Sequence, residues 1–211
     1  MPPNSKADTD VRTYGGRTLA DRRIERRQRF LDAALAEFSG VGYAASSVTS
    51  LCRAAGLSRR QFYELFTDRE QLLVELYDEI QGSARRAVDD ALAHSTSHEL
   101  TDLARTAMAA YMSAVGDDPR RAEVSFVQIV GVSPAVERHR LDGREVWIEF
   151  FVAAMARFAD REPSERERTL AMGFVGALTA IVHRWSSSST PARIDDVVDA
   201  LADILIGFSG L

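Results

Sequence analysis

The sequence predicts an all-α protein of about nine helices. It places a three-helix helix-turn-helix unit at the N-terminus and a larger helical unit behind it. Three observations lead there. Apolar residues recur at i, i+3, i+4 and i+7 along most of the chain. The breaks between these runs read as helix starts. Asp118-Pro119, Ser133-Pro134 and Thr190-Pro191 each set proline directly after a capping residue, and Ser164 with Glu167 makes a capping box. No alternating strand run or hairpin dipeptide stands out. With 211 residues, 45% hydrophobic and 27% charged, the chain can close one or two soluble domains around a real core.

Residues 1–17 are rich in Pro, Asp, Ser, Thr and Gly and carry little to bury, so a flexible arm is expected. Arg12 and Arg17 flank Tyr14-Gly15-Gly16. Two readings of the arm stand: a minor-groove contact or a passive tail. A first helix is expected from about Thr18 to Ser39, with Leu31, Ala34, Leu35 and Phe38 on its inner face. Its start carries Arg22, Arg23, Arg26, Arg27 and Arg29, a run that fits either a solvated face or phosphate contact. Gly40-Val41-Gly42-Tyr43 then turns the chain.

Residues 47–69 organise the rest. Ser47 is a natural N-cap for a helix over about Val48–Ala55, and Gly56 ends it in a left-handed cap. Ser58 caps a second short helix, with Gln61 as its capping-box partner. Phe62, Leu65 and Phe66 face inward, which leaves Arg59, Arg60, Gln61 and Tyr63 outward. Thr67 and Glu70 read as a further capping box that opens a third helix at once. The pattern is a helix-turn-helix, whose second helix lies in the major groove of double-stranded DNA with its N-terminal residues at the base edges. Arg forks onto guanine O6 and N7, and Gln onto adenine N6 and N7. The Tyr63 hydroxyl and Arg69 suit phosphates, which set register without reading sequence. An ordinary helical hairpin with a solvated Arg-Arg face is the plainer alternative.

Residues 29–77 resemble the tetracycline-repressor (TetR) family of bacterial transcription regulators. The resemblance rests on Arg-Phe-Leu-Asp-Ala-Ala-Leu-Ala-Glu-Phe at 29–38, Gly-Tyr-Ala-Ala-Ser-Ser-Val at 42–48 and Ala-Ala-Gly-Leu-Ser at 54–58. It continues with Phe-Tyr-Glu-Leu-Phe at 62–66 and Asp-Arg-Glu-Gln-Leu-Leu at 68–73. Glu64 and Leu65 depart from a common aromatic or His, Thr49 stands where many members carry Arg or Glu, and Arg69 replaces a common Lys. The resemblance implies a DNA-binding domain over 18–67 that uses Ser47, Thr49, Arg59, Arg60, Gln61, Tyr63 and Arg69. It implies an effector-binding and dimerisation domain over 68–211. It also implies a repressor that a small effector releases from a near-palindromic operator.

The fourth helix, about Asp68–Ala93, carries one long stripe from Leu72 to Ala91 and links the two units. Thr96 with Glu99 reads as the capping box of the next helix. Met108, Tyr111, Met112, Phe126, Ile129, Trp147, Phe150 and Phe151 are candidates to line a pocket, since Met and aromatic residues suit an adaptable apolar cavity. The set includes no paired charges, so a mostly apolar effector is expected. Helices at about 164–186 and 191–208 are apolar over much of their surface, and Gly173, Gly176, Ala177 and Ala180 form a small-residue strip. By the resemblance, these helices pair with their copies as the four-helix bundle of a homodimer, which supplies two reading heads.

Charge is divided between the halves. Residues 1–67 hold 11 Lys+Arg and 7 Asp+Glu, or +4; residues 68–211 hold 15 and 24, or -9, and the two return the net -5. Phosphate attraction therefore concentrates on the reading half. The single Cys52 sits on an inner face as a small hydrophobe, and a reducing cytoplasm fits. No apolar run approaches the ~20 residues of a membrane span, and the polar start is not a secretory signal. His94 and His98 straddle a Ser-Thr-Ser break, so no metal is expected. Without a Ser-His-Asp arrangement, metal-ligand spacing or Gly-rich phosphate loop, neither catalysis nor a cofactor is expected. A DNA-binding protein that has no effector, whether architectural or working with a protein partner, is the alternative function.

Overall fold

A computed structural model describes residues 18–159 and 161–209. The arm assigned to residues 1–17 lies outside them. Among the described residues there are nine α-helices, one π turn and no strand. The helices are α1 (Leu19–Gly40), α2 (Val48–Ala55), α3 (Arg59–Tyr63), α4 (Arg69–Ala93) and α5 (Leu100–Gly116). α6 (Pro119–Glu123) runs directly into the π turn (Val124–Gln128), followed by α7 (Pro134–Ala159), α8 (Glu165–Ser186) and α9 (Ile194–Ser209).

The first three helices follow their local chemistry. Thr18 caps α1 in a reciprocal box with Asp21, Ser47 caps α2 with Ser50, and Ser58 caps α3 with Gln61. Gly56 closes α2 at φ 62°, where a Cβ would be strained and would sit 2.8 Å from Arg29 Nη2. Beneath them Phe30 meets Phe62 and Phe66 edge-on at 5.3 and 5.9 Å, all three fully buried. Each such pair adds about 0.5–1.5 kcal/mol beyond the area it covers.

Three helix starts differ from the sequence reading. Asp68, not Thr67, caps α4 by accepting from Gln71 N; the Thr67 N–H goes to Gln71 Oε1, and Glu70 turns away to accept from Ser133 Oγ. The Thr96–Glu99 box does not form: α5 begins after Glu99, which makes no side-chain cap bond. α9 starts at Ile194, past Pro191. The π turn was not anticipated.

α4 packs along α5, and α5 lies between α4 and α9, while α7, α8 and α9 pack in succession. α1 touches both α6 and the π turn, so the first three helices rest on the body at two places, along α4 and at this turn. The α8 stripe of Ala171, Phe174, Val175, Leu178 and Val182 is covered by the chain itself. Along the middle of α8, Met172, 54% exposed, faces outward with Gly173, Gly176 and Ala180. Among the described residues no helix is long and apolar enough to cross a membrane.

Phe62→Ala removes the centre of the ring stack and is expected to cost about 3–5 kcal/mol in urea unfolding. Gly56→Ala is expected to cost about 1–3 kcal/mol, through strain at its left-handed backbone.

Candidate nucleic-acid interface and ligand cavity

α3 presents a basic tip. The Arg60 side chain is 90% exposed and pairs with Glu64 one turn on, Nε to Oε1 at 3.1 Å. Arg59 is exposed and reaches Thr49 Oγ1 of α2 at 3.4 Å, so the two residues share one outer surface. Tyr63 is 53% exposed, with its ring against Phe62. Ser47 is exposed at the α2 start, its hydroxyl accepting from Ser50 N. Arg59, Arg60 and Tyr63 are exposed on α3, as the sequence predicts, while Gln61 is half-buried.

Two of the expected contacts are otherwise engaged. Gln61 Oε1 accepts from both the Ser58 backbone N–H and the Ser58 hydroxyl. A bidentate grip on adenine would break this cap, at a cost of about 0.5–2 kcal/mol. Arg69 serves as an internal strut through one of its guanidinium nitrogens. Its Nη1 donates to Tyr43 O, Ser46 O and Ser46 Oγ, at 2.9, 2.5 and 3.0 Å, and its guanidinium lies over the Tyr43 ring at 4.8 Å. The basic run of α1 is likewise partly structural. Arg29 caps the carbonyls of Ala55 and Gly56, Arg26 pairs with Glu64, and Arg27 pairs with Glu75 across the Phe66 ring. Cys52 is buried, and burial pushes its thiol above the ordinary range.

The turn at Tyr43 ties this surface to the body. The Tyr43 N–H donates to Gln128 Oε1 at 2.9 Å, and Gln128 Nε2 donates to Glu123. Gly42, at φ 89°, lets the backbone pass; a Cβ there would lie 3.2 Å from Gln128 Oε1.

On its other side the π turn lines a cavity in the body. Tyr77 and Gln81 of α4, Tyr111 of α5, Ser125 and Phe126 of the π turn, Arg140, Arg144, Trp147 and Phe151 of α7 and Val175, Leu178 and Thr179 of α8 surround it. Its volume is about 20 Å³, room for a single water. Four of the eight expected residues therefore line it: Tyr111, Phe126, Trp147 and Phe151. Met108, Met112 and Ile129 are fully buried core away from it, and Phe150 packs on Trp147 and Phe151 from a half-buried position.

The cavity is also not purely apolar, contrary to expectation. Trp147 Nε1 donates to buried Gln81 at 2.9 Å, with the Arg85 guanidinium 5.6 Å from the Trp147 ring. Arg140 pairs with Glu137 at 3.0 Å. The Gly131 N–H and Arg140 together hold the Glu137 carboxyl below its ordinary range. Arg144 Nε and Ser125 Oγ are buried without a hydrogen-bond partner. The signal for these arginines was present in the sequence: residues 140, 144, 147 and 151 share one helical face, so the stripe that brings in Trp147 and Phe151 brings in Arg140 and Arg144 too. Among the described residues no cluster of His, Cys, Asp and Glu could hold a metal.

A capped helix-turn-helix with an exposed basic tip, carried on a helical body, defines a class of DNA-binding regulator. Residues 30–76 match the family of bacterial regulatory proteins, tetR family. No curated protein matches the chain in sequence. The fold is that of several solved structures. The fatty acid degradation regulator FadR from Bacillus halodurans aligns at TM-score 0.71 and 16% identity over 86% of this chain and 95% of its own. FadR from Bacillus subtilis in complex with stearoyl-CoA aligns at 0.70 and 14%, over 85% and 97%. The TetR family regulator PfmR from Thermus thermophilus aligns at 0.62 and 22%, over 85% and 97%.

Arg69→Met is expected to lower unfolding free energy by about 1.5–3 kcal/mol, because it strips a charged donor from buried acceptors. Arg60→Ala, at an exposed pair, is expected to stay within about 0.5 kcal/mol of the parent. Thermal unfolding of the free protein reads both.

Proposed function

We propose that the chain is a homodimeric repressor that binds a near-palindromic operator through α2 and α3 and is released by a small effector bound in the body. The observation that carries this reading is the outward face of Arg59, Arg60, Tyr63 and Thr49 on the segment that matches the tetR family. Residues 18–67 act as the reading head and 68–211 as the effector and dimerisation domain, in the cytoplasm and without a catalytic step. The π turn offers a route between the two: Ser125 and Phe126 line the cavity, while Gln128 holds the Tyr43 turn. An effector shifts the equilibrium only by preferring one state, and one to two decades in DNA affinity correspond to about 1–3 kcal/mol. That FadR from B. subtilis, of the same fold, is in complex with stearoyl-CoA supports an effector for this chain.

A second reading, a regulator without an effector, is favoured by how nearly the cavity is filled by its own side chains. Selection of bound sequences from random DNA, followed by release assays on the selected operator, separates the two.

On that operator, Arg59→Ala is expected to relax base preference at one position by about 1–3 kcal/mol, whereas Tyr63→Phe weakens binding evenly across sequences. Gel shifts that leave Arg59→Ala with full affinity and preference would overturn the reading head.

The dimer is proposed to form through the outward strip of α8 together with α9, where Gly176 and Ala180 allow close approach. A Cβ at Gly176 meets nothing within 4 Å in the single chain. Gly176→Arg is therefore expected to leave the melting of the protomer intact while sedimentation shows monomers. An intact Gly176→Arg dimer would exclude this face.

A further inference from the structure

We infer that the body cavity is built for an amphiphile with an anionic head, which Arg144 receives with Ser125 while an apolar tail lies against Trp147, Phe151, Val175 and Leu178. This inference rests on the reading of the body as an effector domain and adds the chemical class of the effector.

The argument starts from an imbalance. Arg144 carries its charge on α7 where its Nε has been removed from water without gaining an acceptor. A buried donor left unpaired is costly, and one on a charged group more so. Its neighbour Arg140, one helical turn away, already has Glu137, which is itself fixed by the Gly131 N–H. Burial, with repulsion from Arg140 added to it, presses the Arg144 guanidinium below its ordinary range, against the opposing pull of Tyr77 and Glu137. Arg85 adds a third guanidinium over the Trp147 ring. Across the cavity the Ser125 hydroxyl is the second buried group without a partner. Two buried groups without a partner therefore belong to residues that line one small space, which Arg140 also lines and which aromatic and aliphatic side chains wall.

A carboxylate or phosphate would give both groups a partner, and a charged acceptor is the strongest partner for a guanidinium. A neutral apolar ligand would leave Arg144 as it stands. The free cavity has room for one water, so the tail enters by displacing wall side chains. The π turn at its edge is where the helical register departs from the regular α-helix.

The test has two parts on the full-length protein. The first uses no ligand. Arg144→Met removes a partly buried guanidinium whose Nε has no acceptor and leaves a shorter apolar chain, so its unfolding midpoint in the free protein is expected to equal or exceed that of the parent. The second uses calorimetry with decanoate, its neutral methyl ester and decanoyl-CoA. The parent is expected to bind at least one of the two anions tenfold or more tightly than the ester. Decanoate as that ligand identifies a carboxylate site, and decanoyl-CoA alone a phosphate site. In Arg144→Met the anion preference is expected to vanish while ester binding persists. The inference is overturned if Arg144→Met destabilises the free protein, if acid, thioester and ester bind alike or not at all, or if the preference survives the substitution. Operator binding by the unliganded protein, measured in parallel, keeps the outcomes distinct. Its loss would count against the regulator itself, and its persistence confines any failure to the anionic head.

Discussion

One turn holds the molecule's two working parts in register. The backbone from Gly42 to Ser46 offers two carbonyls and a hydroxyl to Arg69 and one N–H to Gln128. Arg69 begins α4, and Gln128 ends the π turn. The start of α2 is thus pinned from two directions by elements that belong to the body. Without these bonds, the Tyr43 N–H and the Ser46 carbonyl, both partly buried, would lose their partners. With them, any displacement of the π turn or of the first turn of α4 is felt where α2 begins.

The same economy explains why so many basic residues around α2 and α3 are engaged with their own chain. Arg26, Arg27, Arg29 and Arg69 each brace a helix end, a ring or a carboxylate. Net positive charge is still delivered to that half, but the side chains at the tip that remain for a partner are few. Charge counted along a sequence overstates the charge available at a surface, because a guanidinium's five donors also make it a good strut.

The fold was largely legible in the sequence, because its signals are local. Ser58, Gln61 and Gly56 fix the short helices through bonds to their immediate neighbours. Errors arose where two local signals overlap by one residue. Thr67–Glu70 and Asp68–Gln71 are both plausible starts, and the choice is made by Ser133, 63 positions away, which takes Glu70. The cavity was half legible. Periodicity identified Tyr111, Phe126, Trp147 and Phe151 as apolar and inward, but it treats a charged residue on the same face as noise. Arg140 and Arg144 were therefore passed over, and so was the α4 wall of Tyr77 and Gln81. The π turn left no mark on the pattern, since its five residues are as apolar as a helix would be.

α3 spans five residues, fewer than a chain in water needs to keep a helix of its own. Its shape is lent by what lies beneath it. The rings of Phe30, Phe62 and Phe66 form the floor on which Arg59 and Tyr63 stand. Under the proposed DNA reading, discrimination among bases and endurance of the fold draw on one shared footing. Loosening that footing would then blur the protein's vocabulary before it dissolved the protein.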